Sequence, residues 1–268
     1  MPYFSSNGLK LYFEQQGEGS PLILLHGFGQ HGGSWAPLVS AYSRFFNVVT
    51  PDLRGCGRSE AAEPGFTAAD MAKDIVALMD HIGARRAHVA GWSAGGTVAL
   101  ELGLGHADRL VSLSLHSTYA GGRDRYQANW IDMRRRIIAS GDRELDFSTR
   151  IIGFFTPEFI NARPDRIETF RQMELNNPYP PTSNGMAGQI AAAQKFEARD
   201  RLASIATPTL ITVGSADRTT LPAQSRLMHA AIKGAEFWLF DGAGHLPQFQ
   251  FPDEFISISL GFMLKQEH

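Results

Sequence analysis

The sequence predicts an α/β fold: a mostly parallel, doubly wound sheet interrupted by a mainly helical insertion. Three observations predict it. Short apolar runs alternate with stretches of helical period, the pattern of strands covered on both faces by helices. A Gly-x-Ser-x-Gly turn sits between one such run and a small-residue helix. From about Ser117 to Arg199 the alternation stops, and aromatic and helical patterns continue without a convincing strand.

Each element follows from its pattern. Leu9–Gln15 alternates like a strand, and Pro21–Leu25 (PLILL) is a continuous apolar strand ending at His26-Gly27. A helix is expected from Ser34, a good N-cap, to about Arg44. Phe46–Thr50 is the next strand. Asp70–Ile82 carries Met71, Ile75, Leu78, Met79 and Ile82 at helical spacing. Ala87–Trp92 is a strand, Ala94–Gly103 a helix and Leu110–Leu115 a strand. After the insertion, Thr209–Val213 and Glu236–Phe240 read as strands, and Ala223–Ile232 and Glu254–Leu264 as helices. Pro178, Pro180 and Pro181 interrupt the insertion. The resulting organisation is a core in two parts, 1–117 and 200–268, around an insertion over 118–199.

Composition excludes several classes. Among 268 residues, 43% are hydrophobic and 19% charged, which is ordinary globular composition. Twenty-five basic residues stand against 27 acidic ones, a formal charge of -2 that suggests neither nucleic acid nor an anionic membrane as partner. Cys56 is the single cysteine, so neither an intramolecular disulfide nor a cysteine zinc cluster is available. No apolar run approaches bilayer length. The start of the chain has no signal-peptide pattern, and a soluble, cytoplasmic protein is expected. There is no H-E-x-x-H, EF-hand loop or P-loop, so neither a metal nor another cofactor is expected.

The chemistry concentrates at Gly91-Trp92-Ser93-Ala94-Gly95-Gly96. A serine on a sharp strand-to-helix turn is lifted clear of the sheet, and flanking glycines remove the Cβ atoms that would collide there. The free N–H groups of the following helix suit an oxyanion. A serine hydroxyl needs a base, and the base an orienting acid. Asp217 in Gly214-Ser215-Ala216-Asp217-Arg218 and His245 in Gly242-Ala243-Gly244-His245-Leu246-Pro247 each follow a strand, where open sheets build their sites. They come in the order Ser, Asp, His that this kind of elbow requires. Taken singly, Asp217 reads as a turn-forming residue and His245 as a loop histidine. Taken together, Ser93, Asp217 and His245 read as nucleophile, acid and base. His31, His81, His88, His106, His116, His229 and His268 have no comparable setting.

With His26-Gly27-Phe28-Gly29, Pro51-Asp52-Leu53-Arg54-Gly55-Cys56-Gly57-Arg58-Ser59, the elbow, Gly214…Asp217 and Gly244-His245 in view, the chain resembles the α/β-hydrolase superfamily. The likeness is to its esterase, enol-lactonase, haloperoxidase-like and C–C hydrolase branch, and it covers roughly 8–117 and 200–268. It implies an oxyanion hole from the backbone N–H groups of Phe28 and Ala94, and it makes the insertion a cap. It also implies a structural role for Asp52, Arg54 and Ser59. The serine at the elbow departs from dehalogenases and epoxide hydrolases, which carry aspartate there. Leu246 after the histidine and the His-Gly-Phe-Gly loop depart from meta-cleavage C–C hydrolases.

The expected activity is hydrolysis of a small, mainly apolar ester or lactone through an acyl-enzyme. Trp130, Phe154, Phe155 and Tyr179 of the insertion are the candidate substrate contacts, since a cap over a nucleophile presents aromatics to the ligand. Arg134-Arg135-Arg136 reads as a solvated helix face. C–C bond hydrolysis and a non-turnover receptor on the same fold are the alternatives. A third is an NAD-dependent oxidoreductase: Gly27-Phe28-Gly29-Gln30-His31-Gly32 is formally G-x-G-x-x-G, with Asp52 about 20 residues on. Against this last reading, the helix is expected at Ser34, after the glycines instead of within them.

Overall fold

A computed structural model describes residues 2–61, 63, 65–121 and 124–267; His268 lies outside them. Eight strands form one sheet: β1 (Tyr3–Ser6), β2 (Leu9–Gln16), β3 (Pro21–Leu25), β4 (Asn47–Pro51), β5 (Ala87–Trp92), β6 (Leu110–His116), β7 (Thr209–Gly214) and β8 (Glu236–Phe240). Their order is β1-β2-β4-β3-β5-β6-β7-β8, antiparallel at β1, β2 and β4 and parallel from β4 onward. The helices are α1 (Ala36–Tyr42), α2 (Ala68–His81), α3 (Ala94–Gly105), α4 (Arg125–Ser140), α5 (Arg143–Phe154), α6 (Pro157–Ala162), α7 (Pro164–Leu175), α8 (Ser183–Lys195), α9 (Pro222–Ala231), α10 (Pro247–Gln250) and α11 (Pro252–Leu264).

The apolar strands serve two cores. In β3, Ile23 and Leu25 face α2, α3 and α9, while Leu22 and Leu24 face α1 and α11. Both faces are covered, so the run needs no polar alternation. The second core continues into the insertion through Phe147, Ile151, Phe155 and Phe170. Between β6 and β7 lie α4 to α8, and among the described residues no strand.

Two local departures have physical causes. The strand β1 pairs with β2 through the two-residue turn Asn7-Gly8, both at positive φ (48° and 80°). Ser34 is not a helix cap. A 3-10 turn spans Gly32–Trp35, His31 Nδ1 accepts the Gly33 N–H at 3.1 Å, and α1 begins at Ala36 with Pro37 in its first turn.

The loop after β4 is a polar scaffold. Asp52 Oδ1 accepts from Gly32 N at 2.7 Å, and Oδ2 from Arg58 N at 2.8 Å. Ser59 donates to the Asp52 carbonyl, and Arg54 pairs in bidentate fashion with buried Asp74. With Asp52 turned inward and α1 starting after the glycines, the dinucleotide reading loses both features it needs. His26 Nε2 accepts the Leu53 N–H at 2.9 Å, which places its proton on Nδ1, 2.8 Å from the Gly27 carbonyl. Burial pushes its pKa down to about 4.

Candidate active site

Ser93 closes β5 and precedes α3 with φ 55° and ψ −121°, a conformation that an L-residue holds only when its surroundings impose it. The glycines permit the turn. A Cβ on Gly91 would stand 2.4 Å from the Gly95 carbonyl oxygen, and one on Gly95 would stand 2.4 Å from that of Leu25. The serine backbone is also tied down: its N–H donates to His116 O at 2.9 Å, and its carbonyl accepts from Thr118 Oγ1 at 2.6 Å.

The three residues singled out by the sequence meet. Ser93 Oγ lies 3.0 Å from His245 Nε2, and His245 Nδ1 lies 2.9 Å from Asp217 Oδ2. Asp217 and His245 are almost fully buried. Asp217 Oδ1 accepts the N–H groups of Thr219 (2.8 Å) and Thr220 (2.9 Å), and Oδ2 also accepts Thr220 Oγ1 at 3.0 Å. Asp217 is therefore both the turn-former suggested by its loop and the partner of His245. An ionised carboxylate only accepts, so the facing Nδ1 carries the ring proton and Nε2 is left as acceptor for the Ser93 hydroxyl. The backbone of His245 is held as well, its N–H donating to Phe154 O at 2.8 Å and its carbonyl accepting Trp92 Nε1 at 3.1 Å.

Beside Ser93 opens a cavity of about 60 Å³. Phe28 and Ala94 both line it, and Ala94 is the first residue of α3, where backbone N–H groups have no intrahelical acceptor. Trp130 and Phe154 line it too, and the Phe154 ring packs 5.2 Å from that of His245.

The other two proposed contacts do not reach the cavity. Phe155 is buried among Phe159, Phe170 and Phe249, because the chain turns extended after Phe154 and sends the next side chain into the core. Tyr179 is partly exposed beside Arg58 and His31, where its ring stacks on the Arg58 guanidinium. Sequence reasoning missed Gln127, Ile131 and Arg134, which with Trp130 occupy one stripe of α4 at i, i+3, i+4 and i+7. That spacing was the available signal. Arg134 thus departs from the solvated face expected of it: it is buried, whereas Arg135 and Arg136 stay exposed and pair with Asp132. Arg150 from α5 also lines the cavity. Cys56 is buried, which pushes its thiol pKa up and leaves it unreactive.

Residues 20–252 match the family model of the α/β-hydrolase fold. The chain belongs to the α/β-hydrolase family. Among relatives in that family, the chain is 31% identical over 247 residues to 3-oxoadipate enol-lactonase 1 of Acinetobacter baylyi, covering 92% of this chain and 90% of the other. A thermophilic esterase from Thermogutta terrifontis superposes with a TM-score of 0.86 at 28% identity, over 100% of this chain and 98% of that one. The enol-lactonase from Burkholderia xenovorans superposes with a TM-score of 0.86 at 27% identity, over 98% and 100%. Among the described residues no helix is long and apolar enough to cross a membrane.

Proposed function

We propose that this α/β-hydrolase cleaves a small carboxylic ester or lactone through an acyl-enzyme on Ser93, without a cofactor. The observation that carries the proposal is the chain of contacts from Asp217 through His245 to Ser93 Oγ, with the Asp217 carboxylate accepting from Thr219 N, Thr220 N and Thr220 Oγ1 besides facing His245 Nδ1. The relatives named as lactonases and as an esterase support ester-type hydrolysis as the class.

In this reading His245 Nε2 takes the Ser93 proton as Oγ attacks the carbonyl carbon. The developing oxyanion lies against the N–H groups of Phe28 and Ala94, donors whose individual loss costs about 10²–10³-fold in other enzymes of this logic. His245 then returns the proton to the departing alkoxide, which leaves as the alcohol. Water, deprotonated by the same nitrogen, releases the acid. Helices α4 to α8 act as a cap, and Trp130, Ile131 and Phe154 give an apolar wall suited to a mainly apolar acyl portion.

Two measurements test the proposal. Wild type is expected to turn over p-nitrophenyl acetate, and Ser93→Ala to lose roughly 10⁴-fold or more in kcat. An organophosphonate is expected to add one adduct mass, mapped to the peptide containing Gly91–Gly96. Full inhibition with the label elsewhere, or binding of esters without turnover, would overturn the reading, the latter in favour of a receptor.

A further inference from the structure

The loop that carries Asp217 sets two threonines side by side, and their hydroxyls go opposite ways. Thr219 Oγ1 donates to Gly153 O of α5 at 3.2 Å. Thr220 Oγ1 donates to Asp217 Oδ2 at 3.0 Å, the same oxygen that lies 2.9 Å from His245 Nδ1. Both threonines are buried, Thr220 almost completely.

The Thr220 hydroxyl is not needed to build the loop. An aspartate at the head of a turn is held by backbone N–H groups two and three residues on. Here Thr219 N and Thr220 N meet Oδ1 at 2.8 and 2.9 Å, and any residue with an N–H at position 220 could supply the second of these. The hydroxyl goes instead to the other oxygen, the one the turn leaves open to the histidine.

Counting protons fixes the direction of each bond. An ionised carboxylate accepts at about four lone-pair sites. Thr219 N, Thr220 N, Thr220 Oγ1 and His245 Nδ1 supply four partners for them. Thr220 Oγ1 also lies 3.4 Å from His245 Nδ1, but a nitrogen that carries the ring proton cannot accept, so the hydroxyl proton is committed to Oδ2. With two donors on Oδ2, the carboxylate is fixed against rotation about its Cβ–Cγ bond, and its charge is shared between a hydroxyl and the imidazole. Without the hydroxyl, the carboxylate is free to rock, and the charge on Oδ2 bears on the imidazole alone.

We infer that Thr220 is a positioning residue for the proposed base: its hydroxyl aims Asp217 Oδ2 at His245 Nδ1 and moderates the hold of that carboxylate on the imidazolium formed as Ser93 attacks. The inference rests on the Ser93 hydrolase reading above. Loss of the hydroxyl then has two effects. Turnover falls because the ring loses its alignment with Ser93 Oγ. The protonated ring also becomes easier to form, because an unshared carboxylate stabilises it more strongly. The other charged or titratable groups around the Asp217–His245 pair are Tyr126 and Arg134 from α4, Arg150 from α5, and Arg218 on the Asp217 loop. The rings packed on His245, Trp92 and Phe154, carry no charge.

Thr220→Val tests this by keeping the backbone N–H and the branched shape while removing the donor. On p-nitrophenyl acetate, which has no titrating group, the pH of half-maximal kcat/KM on the acid side should rise by about half a unit to one unit, the scale of one hydrogen bond to a charged group. On the plateau, kcat should fall about 10-fold with KM within about 2-fold of wild type. Thr220→Ser restores the hydroxyl and should return the acid limb to its wild-type position. A residue that only packed the loop would lower the melting temperature and kcat without moving the limb, and one that contacted substrate would move KM; either result overturns the inference. Should Thr220→Val fail to fold, Thr220→Ala carries the same test with the same expected limb. Wild-type turnover and phosphonate labelling at Ser93, with an unmoved limb in the variant, would remove this inference alone. Their absence would remove the Ser93 reading with it.

Discussion

Replacing Asp217 with asparagine probes the proposed mechanism at the point where the structure constrains it most. The Asn side chain has two orientations, and the backbone chooses between them. Two N–H donors, from Thr219 and Thr220, meet Oδ1 at 2.8 and 2.9 Å. Turning the amide NH2 toward them would leave two buried donors without acceptors, at about 1–3 kcal/mol each. The amide oxygen therefore stays there, and the NH2 takes the place of Oδ2, 2.9 Å from His245 Nδ1. An NH2 group donates, so Nδ1 must become the acceptor and the ring proton moves to Nε2. His245 then presents a proton to Ser93 Oγ where it should accept one. The expected loss is roughly 10⁴-fold in kcat, about 5.5 kcal/mol of barrier, the scale seen for this change in serine proteases. Initial rates on p-nitrophenyl acetate, with the melting temperature as a control for folding, would measure it. A folded Asp217→Asn enzyme within about 10-fold of wild type would refute both the tautomer argument and the acid assignment.

Other expectations concern fold and pocket. Gly95→Ala brings a Cβ to 2.4 Å from Leu25 O and 2.6 Å from His26 O, whereas one on Gly105, at the end of α3, meets nothing within 4 Å. Thermal melts should show Gly95→Ala lower by roughly 4 °C or more and Gly105→Ala unchanged or slightly higher. Trp130→Ala should shift kcat/KM ratios between acyl chains by about 10-fold. Phe155→Ala should cost about 3–5 kcal/mol in a denaturant titration without moving that ratio. Burial holds His26 down to about 4 and His116 down to about 3, so the unfolded chain takes up protons on both while the folded chain does not. Their share of stability is complete above about pH 6.5 and is lost as pH falls toward 4 and 3, roughly 2 kcal/mol in total between pH 6 and 5. A denaturation midpoint that stays level from pH 7 to 5 would contradict this.

What the sequence discloses, and what it does not, divides along physical lines. The strand β3 is legible because burial on both faces demands an unbroken apolar run, and β5, β6 and β7 are legible as mostly apolar, mostly buried runs that also hold His88, Ser112, Ser114, Thr209 and Thr212. The meeting of Ser93, Asp217 and His245 is legible because each follows a strand, and topology brings strand ends together. Edge strand β1 has too few residues for a period, although Asn7-Gly8 is itself a hairpin signal. Cap contacts are harder still. A stripe such as Gln127, Trp130, Ile131 and Arg134 says that a helix has a buried face, and only the tertiary arrangement says whether that face covers a core or a cavity. Phe154 and Phe155 show the limit: adjacent aromatics at the end of one helix, one against His245 and the other in the core.

The end of α5 carries a consequence for how the insertion and the chemistry depend on each other. Phe154 O accepts the N–H of His245, and Gly153 O accepts Thr219 Oγ1, so two successive carbonyls hold the two loops that bear His245 and Asp217. The approach leaves no room for a side chain: a Cβ on Gly244 would stand 2.3 Å from Phe154 O, and one on Gly153 would stand 2.4 Å from the Trp130 ring. A cover that only excluded water would need no such backbone contacts. Here the position of His245 is set partly from the insertion, and Arg150 lies one turn back on the same helix. Displacing α5 must therefore disturb the lining of the cavity and the alignment of His245 with Ser93 together. Substitutions that shift this helix should change kcat as well as KM, whereas substitutions confined to the stripe of α4 should act chiefly on KM.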